Sequence, residues 1–161
     1  MAEKNPSIGL NDDQRQHICL TLGRLLADEF TFYTLVRKYH WNVRGPQFKM
    51  LHEQFEAQYD QLDETIDETA ERIRMMGELA PGTWAEFSEL TSLEERPGHN
   101  PDAATMVGEL AETHEHMVRQ LRTAIQAEGD EALDDGTVDF FTRVLQDHEK
   151  AAWMLRATMA E

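Results

Sequence analysis

Five residues between positions 40 and 71 carry side chains whose types and spacing suit metal chemistry: His40, His52, Glu56, Asp67 and Glu71. His40 and His52 lie six residues either side of Pro46, in the break Gly45–Pro46. Residues equidistant from the turn of an antiparallel helical hairpin face one another, so the two imidazoles can converge within one chain. Glu56 follows His52 at i+4, and Glu71 follows Asp67 at i+4, the spacing that brings side chains together on one helix face. Two imidazole nitrogens with a carboxylate suit iron, manganese or zinc.

His52/Glu56 and Asp67/Glu71 share a helix but cannot share an ion. From His52 to Asp67 is about 22 Å at ~1.5 Å of rise per residue. At ~100° per residue the two pairs still fall within about 60° of each other around the axis. Their midpoint coincides with the centre of a helix expected over 47–76. A second copy laid antiparallel across a two-fold axis at that centre sets 52/56 opposite 67/71. Two equivalent sites follow, each with His40, His52 and Glu56 from one subunit and Asp67 and Glu71 from the other, as an isologous contact requires.

The elements that position these residues are helices. A 3.6-residue apolar period runs through Ile18, Leu22, Leu25, Phe32, Val36 and Tyr39, predicting a helix over 12–40 with Asn11 as N-cap. Phe48, Leu51, Phe55, Leu62, Ile66 and Ile73 give the second, over 47–76. Asn100–Pro101 reads as the start of a third, over 101–128. Phe141, Leu145, His148, Ala152, Leu155 and Met159 mark a fourth, over 137–159. The long connection between the second and third holds a short helix over 83–90, capped by Thr83. No segment alternates as a strand does. The expected fold is all-α: one domain over 1–161, with a tail over 1–11, forming a four-helix bundle with a long middle crossover, ferritin-like in outline.

Composition narrows the function. The chain has 161 residues and a formal net charge of −16, from 31 acidic and 15 basic residues. That balance opposes direct contact with nucleic acid, where neutralising phosphates supplies most of the affinity, and suits attraction of cations. No apolar run approaches the ~18 residues of a membrane span, and the first ten residues lack a signal-peptide core, so a cytoplasmic location without membrane association is expected. The single cysteine, Cys19, excludes an intrachain disulfide framework and reads as a packed thiol. His52-Glu53-Gln54-Phe55-Glu56 begins like a zinc-protease helix but has Glu where the second histidine belongs. No histidine has a glutamate three residues before it, which argues against a di-iron site inside one bundle.

At these residues the sequence resembles the Dps family, the mini-ferritins also called DNA-binding proteins from starved cells. The resemblance rests on His40-Trp41-Asn42-Val43, Gly45-Pro46-x-Phe48, Leu51-His52-Glu53, Tyr59-Asp60-x-Leu62, Asp67-x-x-x-Glu71-Arg72, Ala80-Pro81-Gly82-Thr83 and His148-Glu149-Lys150-x-x-Trp153-Met154-Leu155, and covers about residues 15–158. It implies a hollow homo-dodecamer with ferroxidase sites at its two-fold interfaces, the ligands being His40, His52, Glu56, Asp67 and Glu71. It further implies oxidation of Fe(II), two irons per site, by hydrogen peroxide or dioxygen, and storage of ferric mineral as a protection against oxidative damage. Trp41, next to His40, is then a candidate redox-active neighbour. Asp139, with Asp130, Asp134 and Asp135, resembles the acids of an iron-entry pore. The alternative function is a DNA-binding and compacting stress protein with secondary iron chemistry. The termini depart from the DNA-binding members, which carry a lysine-rich tail, so direct DNA binding is not expected.

Overall fold

A computed structural model of the chain describes residues 6–127, 129 and 132–159. Among them are five helices and no strand: α1 (Asp12–Asn42), α2 (Phe48–Met75), α3 (Trp84–Leu90), α4 (Ala103–Ile125) and α5 (Asp135–Met159). The four long helices form two hairpins, α1 with α2 and α4 with α5, and the crossover carrying α3 packs on α1. This is the four-helix bundle with a short extra helix that the apolar periodicity predicts.

Each helix is set by local chemistry. Asn11 caps α1 through a reciprocal box with Gln14, satisfying orphan donors of the first turn. Gly45, at φ +116°, takes a conformation that L side chains rarely adopt and reverses the chain between α1 and α2. The core comes from the expected stripes: Leu22, Phe32, Val36 and Tyr39 on α1, Leu51 and Phe55 on α2, Leu110 and Met117 on α4, and Phe141 and Leu155 on α5 are fully or almost fully buried. Phe48 departs from its stripe: it is exposed at the first position of α2. Cys19 is half-buried, its thiol 4.0 Å from the Ile73 carbonyl, and burial raises its pKa.

Two helix starts differ from expectation. Helix α4 begins at Ala103 rather than Pro101, because the Asp102 side chain accepts from the Thr105 amide at 2.8 Å and supplies the cap two residues later than Asn100. Helix α5 begins at Asp135 rather than Thr137. Asp134 stands before it, with its carbonyl accepting from the Thr137 and Val138 amides and its carboxylate from the Thr137 hydroxyl.

Side-chain contacts pin the crossover to the bundle. Thr83 and Glu86 form a capping box that starts α3. Phe87 stacks on Phe30 of α1 at 4.5 Å. Asp28 of α1 accepts from Thr91 Oγ1 at 2.7 Å and from Ser92 Oγ at 2.8 Å. Further along, Glu109 of α4 gathers Tyr39, Arg96 and His99, joining α1, the crossover and α4. A connection of this length is therefore a structural clamp as well as a linker.

Candidate metal centre

The α1–α2 hairpin brings His40 and His52 into direct contact. Their rings stack nearly parallel, centroids 3.7 Å apart at 21°. His40 Nδ1 lies 2.9 Å from the carbonyl of His52, and His52 Nδ1 lies 2.9 Å from the carbonyl of His40. A carbonyl oxygen only accepts, so both Nδ1 atoms carry protons and donate. That leaves Nε2 as the nitrogen each ring can offer to a metal, the arrangement of a metal-ligating histidine whose other nitrogen is held by the protein. Neither Nε2 has a hydrogen-bond partner among the described residues. The register follows from helix ends: α1 stops at Asn42, so the His40 carbonyl has no helical partner, and His52 fills that vacancy.

The carboxylates are placed differently. Glu56 is exposed one turn beyond His52, its Oε1 accepting from the Tyr59 hydroxyl at 3.3 Å. Asp67 and Glu71 are exposed further along α2 and have no ion pair or hydrogen bond among the described residues. Helix α2 is unbroken from Phe48 to Met75, so the separation of about 22 Å at ~1.5 Å per residue stands. One chain thus brings His40, His52 and Glu56 to one end of a helix face and leaves Asp67 and Glu71 at the other. Among the described residues, no group of three or more His, Cys, Asp or Glu is arranged to hold a metal within one chain.

The remaining candidates separate. Trp41 is 64% exposed, with the Arg37 guanidinium 5.2 Å from its ring centroid, and makes no ring contact with His40. Tyr59, which the sequence did not single out as a site residue, lies edge-on to His40 with centroids 5.1 Å apart. Arg37 stands over the rings of both Tyr59, at 4.9 Å, and Tyr33, at 5.4 Å. The signal for Tyr59 was its position seven residues after His52 and three after Glu56, on the same helix face. Of the acids near the start of α5, Asp134 caps the helix and pairs with Arg72 at 3.3 Å, whereas Asp135 and Asp139 are exposed one turn apart. Asp130 lies outside the described residues.

A second polar cluster, missed from the sequence, crosses the bundle interior with one residue from each long helix. Glu29 Oε1 accepts from His148 Nε2 at 2.8 Å, His148 Nδ1 lies 2.8 Å from His114 Nδ1, and His114 Nε2 lies 3.4 Å from Gln58 Oε1. The Nδ1–Nδ1 contact holds a single proton between the two rings. Glu29 is fully buried and its Oε2 has no partner. Burial, and next the neighbouring His148, push the His114 pKa well below the ordinary histidine value. Glu29 and His114 meet opposite edges of the His148 ring, so the cluster is a linear hydrogen-bonded chain rather than a set of ligands converging on one point.

A family profile described as a ferritin-like domain matches residues 20–161. The chain is 43% identical over 151 residues to an uncharacterized low temperature-induced protein of Nostoc sp., covering 94% of this chain and 84% of that one. It is 35% identical over 136 residues to DNA protection during starvation protein 2 of Bacillus anthracis, covering 84% and 92%. Among solved structures it superposes with a TM-score of 0.88 and 30% identity on the Dps protein of Vibrio cholerae O1, described as a member of a broad superfamily of ferritin-like diiron-carboxylate proteins, covering 99% of this chain and 98% of that one. Sequence, bundle architecture and structural likeness agree: the chain belongs to the Dps family of ferritin-like proteins.

Proposed function

We propose that this protein is a ferroxidase and iron store, oxidising Fe(II) at sites completed across a two-fold subunit interface and holding the ferric product inside a dodecameric shell. The observation that carries the reading is the reciprocal pinning of His40 and His52 through Nδ1, with Glu56 one turn beyond His52, at one end of a face whose other end holds the unpartnered Asp67 and Glu71. A mixed imidazole–carboxylate donor set suits Fe(II), and the carboxylates favour the harder ferric product. A diiron-carboxylate description belongs to the Vibrio relative and supports the same chemistry here.

In this reading His40, His52 and Glu56 of one subunit and Asp67 and Glu71 of its partner bind two irons as substrate. Two electrons then pass together to hydrogen peroxide, giving water and avoiding the one-electron route to hydroxyl radical. The net charge of −16 draws cations toward the shell, and Asp135 and Asp139 are the candidate acids of an entry pore. The shell works in the cytoplasm, and protection of DNA, the role printed in the name of the Bacillus relative, comes from removing iron and peroxide rather than from contact. A gel-shift at low salt and neutral pH is expected to show no complex without a bridging divalent cation.

The test is stopped-flow oxidation of Fe(II) by hydrogen peroxide and by dioxygen on a sized oligomer. Peroxide is expected to be the faster oxidant, and His52→Ala and Asp67→Ala each to slow it at least about tenfold, the usual cost of disturbing a metal site. Variants that assemble normally and oxidise iron as fast as the parent protein would overturn the reading.

A further inference from the structure

Next to the candidate centre the structure places an oxidisable ring, and it is Tyr59 rather than Trp41. The Tyr59 hydroxyl donates to Glu56 Oε1 at 3.3 Å, and its ring meets the His40 imidazole edge-on at 5.1 Å. One phenol thus touches two of the proposed iron ligands. Trp41 follows His40 in sequence, but consecutive helical residues point ~100° apart, and its indole is largely in solvent.

We propose that Tyr59 is the electron donor that completes peroxide reduction when a site holds one iron instead of two. This rests on the ferroxidase reading. A single Fe(II) supplies one electron, and reducing peroxide to water takes two. The second comes from the phenol. Fe(II) becomes Fe(III), Tyr59 becomes a neutral phenoxyl radical, the O–O bond breaks, and the phenol proton with one solvent proton completes two waters. A second Fe(II), arriving later with one proton, returns the radical to phenol and becomes Fe(III). Without the donor, a singly loaded site releases hydroxyl radical.

The surroundings fit a donor that loses its proton along with its electron. Arg37 stands 4.9 Å over the Tyr59 ring, and a cation there disfavours a positively charged ring radical. Electron loss is then coupled to departure of the phenol proton, and the Glu56 carboxylate is already hydrogen-bonded to it. Tyr33, edge-on to Tyr59 at 6.1 Å and with its hydroxyl accepting from Arg37 Nη1 at 2.5 Å, is the next oxidisable ring and is separated from the site by Tyr59.

The experiment mixes the sized oligomer with peroxide and less than one Fe(II) per site, freezes within milliseconds and records the paramagnetic resonance spectrum; a spin trap in parallel samples counts released hydroxyl radical. Protein grown with ring-deuterated tyrosine identifies the carrier. A tyrosyl signal is expected in the parent protein and in Trp41→Phe. It is expected to be lost in Tyr59→Phe, where trapped hydroxyl radical rises several-fold. A signal that survives Tyr59→Phe, one that disappears in Trp41→Phe, or no protein radical at all while iron is oxidised would each overturn the assignment. Failure of the parent protein to oxidise iron with peroxide would instead overturn the ferroxidase reading beneath it.

Discussion

Acidification between pH 6.5 and 5 should destabilise this protein through one buried imidazole. His114 is enclosed by His148 of α5, Gln58 of α2 and the ring of Phe32, which meets it edge-on at 4.6 Å. Behind His148 lies the buried carboxylate of Glu29. Burial and the adjacent His148 hold the folded pKa of His114 well below 6.5. The folded chain therefore keeps His114 neutral where the unfolded chain takes up a proton. The stability that depends on this is complete above pH 6.5 and is lost as pH falls below it, at about 1.4 kcal/mol per pH unit and chain. While the folded chain keeps His114 neutral, the loss over each pH unit is a large fraction of ordinary domain stability. Carboxylates whose pKa values are lowered by folding, such as Glu109 beside Tyr39 and His99, lose their contribution only at lower pH, below about 4.5. The assay is urea unfolding followed by circular dichroism at half-unit pH intervals and one fixed chain concentration, since assembly makes stability concentration-dependent. His114→Gln, which keeps hydrogen-bonding groups but does not titrate, should flatten the slope between pH 6.5 and 5 by about one proton per chain. Equal slopes in the two proteins would refute the reasoning.

Two structural predictions follow from the same physics. Gly77 has φ +95°, and a Cβ built there would stand 2.6 Å from Pro6 Cδ, so Gly77→Ala should cost roughly 1–3 kcal/mol in the same urea assay; an unchanged midpoint would mean that the Pro6 contact is not held. Thr83→Ala removes the side-chain acceptor that starts α3, and amide exchange in α3 should speed up about fivefold with α1 and α2 unaffected.

Much of the architecture was readable because local signals agreed with the global fold. Asn11, the apolar stripes, Gly45–Pro46 and the Thr83–Glu86 box each fix one boundary through backbone chemistry within a few residues. The start of α4 was misplaced because two caps compete, and Asp102, with its acceptor bonded to the Thr105 amide, prevails over Asn100. The His40–His52 contact was legible because hairpin register suffices to bring the two rings together. Glu29, Gln58, His114 and His148 were not, since each sits on a different helix and only the packing of four helices makes them a chain. Tyr59 was hidden for a related reason: its contact with His40 crosses the hairpin, whereas Trp41 is adjacent to His40 only along the chain.

The central claim is that each oxidation site takes its histidines from one subunit and its distal carboxylates from another, and mixing subunits tests it most directly. His52→Ala and Asp67→Ala chains, each slowed at least about tenfold as a homo-oligomer, are unfolded together and reassembled at equal concentration. Random pairing makes half of the two-fold contacts mixed, and each mixed contact restores one site of its two. Peroxide-driven Fe(II) oxidation should therefore recover to about a quarter of the parent rate per chain. Recovery no greater than the mean of the two separate variants would contradict a shared site.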